Sequence, residues 1–438
     1  MVDTLSSWGR YPAFPQTPHF THWRGDLSDD LSDLASSYGS TLPYGQGRSY
    51  GDSCFAKTDH VLQTAYLNRF ISFNRETGVI VAESGVTLEQ VLSLVIPCGW
   101  FLPVTPGTKF VSLGGAIAND VHGKNHHVRG TFGRHVLSFN IVRSDGQKIT
   151  CSLQENSELF SATIGGLGLT GVIESVELQL IPISSSKIDS STIRFGSLNE
   201  FFSLSDEFDS KNEYSVAWVD CHVKGSSTGR GVYMTGNHSD SGDLTVNVKR
   251  KMSVPFTFPF SAINKMSLPL LNSGYYHLHK AKPQQAVINY EPFFYPLDRI
   301  EHWNRAYGRA GFQQYQCVIP ENNAESAMHE LLAAIASTGS GSFLAVMKRC
   351  GDIVSPGMIS FPMPGLSLAL DFPQSSSLNS TLFPRFDTIV REAGGRLYPA
   401  KDAHMSGEDF RTFYPDWKKV EKLRDPALCS RFWQRVIS

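Results

Sequence analysis

The sequence has no run of about 18 apolar residues, the length a helix needs to span a bilayer. Its first residues, MVDTLSSWGRYPAF, lack a basic stretch followed by an apolar run. Neither a membrane span nor a secretory signal is expected, and the cytoplasm is the expected location. Charge is scarce too: 18% of the 438 residues are charged and the formal net charge is −2. Such a balance excludes a broad basic field of the kind that draws a protein to nucleic acid. Cysteine is sparse and unpatterned. The seven thiols, Cys54, Cys98, Cys151, Cys221, Cys317, Cys350 and Cys429, are odd in number and include no CxxC pair. This excludes a disulfide framework or a zinc ribbon and reads as reduced thiols. No internal repeat or low-complexity tract is present.

What is present is a globular composition, 41% hydrophobic, long enough for two domains at ~100–200 residues each. The first ~180 residues read as one α+β unit. Val79–Ser84 is a strand signal. Thr87-Leu88-Glu89-Gln90 is a capping box, and Leu88, Val91, Leu92 and Val95 follow at helical spacing until Pro97-Cys98-Gly99. Ser144-Asp145-Gly146 joins two apolar runs as a hairpin. Val176, Leu178 and Leu180 alternate with polar residues as a strand, and Pro182 marks a boundary. Beyond it, strands at 214–221, 314–318, 342–348 and 366–372 alternate with helices at 324–334 and 381–393, split by the breaker at 338–341. That pattern suits a sheet with helices on one side. Residues 252–298 stand apart. Their prolines are expected to interrupt any regular helix. Met252, Phe256, Phe258, Phe260 and Leu268–Leu271 make the segment greasy, and Lys249–Lys251, Lys265, Lys280 and Lys282 flank it. It reads either as an irregular wrap over the core or as a mobile apolar flap for a greasy substrate or an anionic membrane surface.

Three glycine-bearing segments carry the chemistry. Gly45–Asp52, Gly107 to Ala118, and Gly165–Gly171 each offer backbone N–H donors that approach a pyrophosphate closely where side chains are absent. The third contains Gly166-x-Gly168-x-x-Gly171, the string of dinucleotide-binding folds. That fingerprint needs a strand before it and a helix after it. Here the order is reversed, so the Rossmann reading is rejected. His122, His126, His127 and His135 lie in and after a Gly-Lys-Asn loop with no cysteine and only Asp120 as an acidic neighbour. No metal site is expected. A buried, hydrogen-bonded histidine cluster beside a cofactor is.

The strings Gly47-Arg48-Ser49-Tyr50-Gly51-Asp52, Val121-His122-Gly123-Lys124-Asn125-His126-His127 and Gly168-Leu169-Thr170-Gly171 resemble the flavin domain of the vanillyl-alcohol-oxidase/PCMH superfamily. Trp303–Gly308, Gln314-Tyr315-Gln316, Phe361–Gly365, Gly394–Tyr398 and Lys401-Asp402 extend the likeness. More narrowly, they are similar to the decaprenylphosphoryl-β-D-ribose 2′-oxidase family. The resemblance implies an α+β fold with a PCMH-type FAD-binding domain from 1–182 and 396–438. A substrate domain of antiparallel sheet covered by helices would occupy 183–395. It implies oxidation of the ribose 2′-hydroxyl of a polyprenyl-phosphate sugar, with hydride passing to flavin N5. This would be the first half of an epimerisation to the arabinose form, completed by a partner NAD(P)H reductase. Quinone or O2 would accept the electrons, and contact with the membrane would be peripheral.

By the same match, FAD would be lined by Pro43, Tyr44, Gly45, Gln46, Gly47, Arg48, Ser49, Tyr50, Gly51, Asp52, Ser53, Gly107, Ser112, Leu113, Gly114, Gly115, Asn119, Asp120, Val121, His122, Gly123, Ile173 and Tyr398. Superfamily members that attach FAD covalently use a histidine in the first loop. Tyr50 occupies that place, so non-covalent FAD is expected. Lys401 matches the active-site lysine, as base or as oxyanion stabiliser. Gln316 and Lys348 match catalytic-pocket residues. The chain departs from the family at Leu366, Ser367 and Ala369, where tryptophan, asparagine and cysteine are expected facing the substrate, which leaves the sugar and lipid open. A soluble alditol or aldonolactone oxidase using O2 is the alternative enzyme, and a flavin-binding scaffold the alternative without turnover.

Overall fold

The computed structural model describes residues 5–246, 252–264, 266–338, 341–342 and 344–438. Lys249–Lys251, Lys265, Gly339, Ser340 and Phe343 lie outside them. Helix and sheet are mixed along the whole chain, in the α+β manner.

A five-stranded antiparallel sheet organises the first part, with strands in the order 70–74, 79–83, 172–179, 136–142 and 148–152. The helix Leu88–Val95 packs on it, started by the capping box. Gln90 N–H donates to Thr87 Oγ1 at 3.3 Å, and Thr87 N–H donates back to Gln90 Oε1 at 2.8 Å. Its face of Leu88, Val91, Leu92 and Val95 is buried with Leu113, Ala116, Ile117 and Phe139. A three-stranded parallel sheet, 17–20, 60–63 and 43–44, stands beside it. The C-terminus returns to this sheet through bridges of Thr41 with Leu428 and Ala56 with Ser430. The helix Arg431–Ile437 buries Phe432, Trp433 and Val436 there.

An eight-stranded antiparallel sheet holds the middle of the chain. Four of its six inner strands are 214–219, 345–350, 365–373 and 312–319, and one edge is Arg396–Leu397. The period of two decides its faces. Tyr315, Cys317, Leu366, Leu368, Leu370, Ala345 and Met347 point to one face. They are buried there against the helices Leu198–Phe208, Glu321–Thr338 and Phe383–Glu392. The alternate residues point to the other face, which forms the floor of a cavity; the helices Ser267–Leu278 and Tyr290–Phe294 reach it only at Trp218 and Tyr214, through Tyr275, Phe293 and Phe294.

The segment after residue 252 is more regular than its prolines suggest. It contains a helix, Ser267–Leu278, with Pro269 inside it. Pro269 sits in the first turn, where the missing N–H has no intrahelical partner to lose. Gln284–Asn289 then pairs as the far edge of the large sheet. Inwardly the segment buries Leu268 and Asn272. Outwardly it shows Met252, Phe256, Phe260, Met266, Leu270 and Leu278, the last two 78% exposed.

Candidate active site

One cavity of about 760 Å³ lies between the glycine loops and the face of the large sheet opposite the helices Leu198–Phe208, Glu321–Thr338 and Phe383–Glu392. Gly45–Tyr50, Gly107, Ser112, Gly114, Gly115 and Gly168 form one wall. The first loop requires glycine at two points. Gly47 has φ +60°, and a Cβ there would lie 2.1 Å from the Tyr44 hydroxyl. A Cβ on Gly51 would lie 1.7 Å from the Asp402 carbonyl oxygen. Around the third loop the helix Ser157–Thr163 comes first and the strand Val172–Gln179 follows, the reverse of the dinucleotide fingerprint.

The floor is built by register. Gln316 lies opposite Ala369, Val346 opposite Ala369, Lys348 opposite Ser367, Gln314 opposite Asp371 and Trp218 opposite Val346. Gln316 donates to His122 Nε2 at 3.1 Å, which leaves the ring proton on Nδ1. That nitrogen is buried without a partner. Burial first, then the charges of Lys348, His126 and Lys401, holds His122 well below its ordinary pKa and hence neutral. His122 and Phe361 flank Tyr398, whose hydroxyl donates to Asn119 O at 2.8 Å.

Lys401 Nζ lies 3.7 Å from the centroid of the Tyr50 ring. Burial lowers the Lys401 pKa, and the nearby charge of Asp371 pulls it back up. Burial raises Asp371, while the Gln314 amide (2.5 Å to Oδ1) and Lys401 oppose that rise. The proton affinities of the two groups are thus brought toward each other. One strip of chain stitches the two walls together. Arg396–Leu397 pairs with 312–319, Tyr398 N–H donates to Gln316 O at 2.9 Å, and Tyr50 N–H donates to Ala400 O at 3.0 Å.

The residues present fit FAD. The glycine loops offer open backbone, and a Cβ on Gly107 would meet no protein atom within 4 Å. Ser53 Oγ, Ser84 Oγ and His122 Nδ1 face the cavity as buried polar atoms without protein partners. Residues 27–152 match the family model described as an FAD binding domain. The chain is 34% identical to decaprenylphosphoryl-β-D-ribose oxidase of Mycolicibacterium smegmatis, over 87% of this chain and 85% of that one. The chain belongs to the decaprenylphosphoryl-β-D-ribose oxidase family. It is an FAD-dependent oxidoreductase acting on CH–OH groups. A Streptomyces coelicolor protein of undescribed activity is 30% identical over 78% of this chain and 96% of its own. Mouse L-gulonolactone oxidase is 20% identical over 86% of this chain and 84% of its own.

Within this oxidase-family fold most residues expected at the flavin do converge. Pro43 to Tyr50, Ser53, Gly107, Ser112, Gly114, Gly115, Asn119, Val121, His122, Gly123, Ile173 and Tyr398 line the cavity, as do Gln316, Lys348 and Lys401. Four residues stand off it and hold the walls instead. Gly51 packs on the Asp402 backbone. Asp52 binds Arg435 through Nε at 3.0 Å and Nη2 at 2.8 Å. Leu113 is core. Asp120 accepts from Gly133 N–H at 2.9 Å and from Ser355 and Ser360 at 2.5 and 2.6 Å, pinning the 355–360 loop.

Two further expectations of the sequence reading are corrected. Leu366 does not face the cavity: it shares the core face with Leu368, and only Ser367 and Ala369 line the floor. The histidine cluster is not hydrogen-bonded throughout. His127 and His135 reach the Asn212 and Arg129 carbonyls at 3.0 Å, but both ring nitrogens of His126 are buried without partners. The sequence reading missed Asp371, Gln314 and Lys124. The signal for Asp371 was its place two residues beyond Ala369, on the same face of an apolar strand.

Proposed function

We propose that this protein oxidises the 2′-hydroxyl of a polyprenylphosphoryl-β-D-ribose to a ketone, the first half of epimerisation to the arabinose form. The observation that carries the reading is the lining of this cavity. It runs from the glycine loops past Lys401, Gln316 and His122 to an apolar end of Trp218, Tyr275, Phe294 and Leu297. A small polyol needs no such end.

Bound FAD supplies the hydride acceptor. Tyr50 and Tyr398 would stand at its ring, and Pro43 to Tyr50 with Ser53, Ser112, Gly114 and Gly115 would cradle its phosphates. Tyr50 forms no covalent link, so the flavin is held non-covalently. Gln316 and His122 orient the sugar. Lys401 takes the hydroxyl proton as the carbon–hydrogen bond breaks, and the charge of Asp371 raises the lysine's affinity for that proton. The alcohol thereby loses a proton and a hydride and becomes a ketone. A separate NAD(P)H reductase returns hydride to the other face, and a quinone or O2 reoxidises the flavin.

Residues 1–182 and 396–438 act as a flavin domain and 183–395 as a substrate domain. The exposed apolar residues from Met252 to Leu278, with Lys280 and Lys282 beside them, support a mobile flap in peripheral contact with the membrane that holds the lipid substrate. Among the described residues no helix is long and apolar enough to cross a membrane.

The test is anaerobic bleaching of the purified flavoprotein. Polyprenylphosphoribose is expected to reduce the flavin and free alditols or aldonolactones to leave it oxidised. The reverse pattern would overturn this reading in favour of a soluble oxidase, the direction in which the gulonolactone oxidase likeness points.

A further inference from the structure

Two lysines, Lys124 and Lys348, line the cavity with no ion-pair partner among the described residues. Lys348 Nζ donates to Gly123 O at 2.7 Å. Lys124 Nζ donates to Phe293 O and lies 4.4 Å from the centroid of the Phe293 ring. Each ammonium has three protons, so each retains donors toward the cavity that both side chains line. Burial, then the charge of Lys348, brings Lys124 down to about 7. Burial brings Lys348 down to about 8. No carboxylate is among the causes for either. His126, 1% exposed, stands beside them with both ring nitrogens unpartnered, and its pKa too is depressed, by burial and then by Lys348.

Holding two cations together in a desolvated pocket is unfavourable unless something supplies negative charge. The carboxylates near the cavity act elsewhere. Asp298 accepts from Lys109 N–H at 2.8 Å, the charge of Asp371 acts on Lys401 and that of Glu301 on His302. The missing charge must therefore come with a ligand. Its place along the floor is also set. Lys348 lies opposite Ser367, the next same-face row is Val346, Ala369 and Gln316, and the row after that is Asp371 and Gln314. At ~3.3 Å per residue the first and third rows are about 13 Å apart. His122, hydrogen-bonded to Gln316 of the middle row, feels both Lys348 and Lys401.

We propose that Lys124 and Lys348 bind the phosphodiester of the substrate at the Ser367 end of the floor, away from the Asp371 end where Lys401 takes the proton. This rests on the polyprenylphosphoryl-sugar reading and deepens it. It makes Lys348 a binding residue that does not touch the reacting hydroxyl, and it adds Lys124 to the site.

The test uses two probes with one tail: geranyl methyl phosphate, a singly charged diester, and geranyl methyl ether, its uncharged counterpart. Binding to the flavoprotein is read by isothermal titration and by perturbation of the flavin spectrum. The wild type is expected to prefer the diester by at least tenfold. Lys124→Gln and Lys348→Gln are each expected to cut that preference by about tenfold while ether binding and flavin content stay unchanged. With polyprenylphosphoribose, KM is expected to rise by more than kcat falls. A diester preference that survives both substitutions overturns the proposal. The two readings fail separately. Lysine-dependent diester binding without bleaching by polyprenylphosphoribose leaves the anion site standing and removes the oxidation. Bleaching with KM unchanged in both variants does the opposite.

Discussion

Arg435 offers the most quantitative check on how the site is supported. Its guanidinium lies between Asp52 of the first glycine loop and Asp402 of the strip that carries Lys401. It reaches Asp52 Oδ1 and Asp402 Oδ2 at 2.8 Å each, and it also donates to Met405 O. The carboxylates are only 6% and 2% exposed. Arg435→Met keeps much of the side-chain volume and removes the charge. Two facing buried carboxylates are then left without their cation, a loss of about 3–5 kcal/mol. The pH dependence gives the sign. In the wild type, burial raises Asp402, but Arg435 and His404 outweigh it and hold Asp402 below its ordinary value. Its stabilisation is therefore present above the unfolded carboxylate pKa of ~3.9 and lost as pH falls through the lower folded value. In the variant, burial and mutual repulsion raise both groups. Stability is then lost as pH rises above ~4. Equilibrium urea unfolding at pH 7.5 and pH 5 should show the deficit near its full size at the higher pH and clearly smaller at the lower. A deficit below about 1 kcal/mol at pH 7.5, or one independent of pH, would refute the reasoning.

Three other outcomes are expected. Asp371→Asn keeps an acceptor for Gln314 but removes the charge that raises Lys401, so the pH limb of anaerobic flavin reduction should move ~1–3 units to the acid side. A limb that stays in place would show that Lys401 does not titrate in that step. Gly51→Ala should cost ~1–3 kcal/mol or more by collision with Asp402 O, seen as a lower melting temperature and flavin loss on gel filtration. Retention of both would show that the loop yields easily. Leu270→Asp with Leu278→Asp should weaken sedimentation with anionic vesicles by at least tenfold without changing the flavin spectrum. Unchanged sedimentation would place the membrane contact elsewhere.

Local signals were readable because the physics behind them is local. The capping box at Thr87 and Gln90 closes within one turn, and the hairpin at Ser144-Asp145-Gly146 within three residues. The first glycine loop announced itself because open backbone needs residues without side chains. Pro269 misled because a proline's effect depends on its place in the helix, which composition does not reveal. Leu366 was assigned to the pocket because the register of its strand was unknown, and one residue changes the face. The Asp52–Arg435 and His122–Gln316 pairs join residues 383 and 194 positions apart. Such pairs leave no periodic trace in a single sequence. Lys124 sat inside a motif that was read for its glycine and histidines.

The strip from Arg396 to Lys401 has a consequence for how such an enzyme diversifies. It is hydrogen-bonded to the sheet floor at Gln316 and to the cofactor loop at Tyr50. It therefore acts as a gauge between the two, a handful of peptide units long and tied at both ends. Side chains on the floor, such as Ser367 and Ala369, can be exchanged to suit a different sugar while the spacing between Lys401 and the cofactor loop is preserved. Admission of a bulky substrate then falls to the opposite rim, where the 252–302 segment closes the cavity without being tied to that gauge.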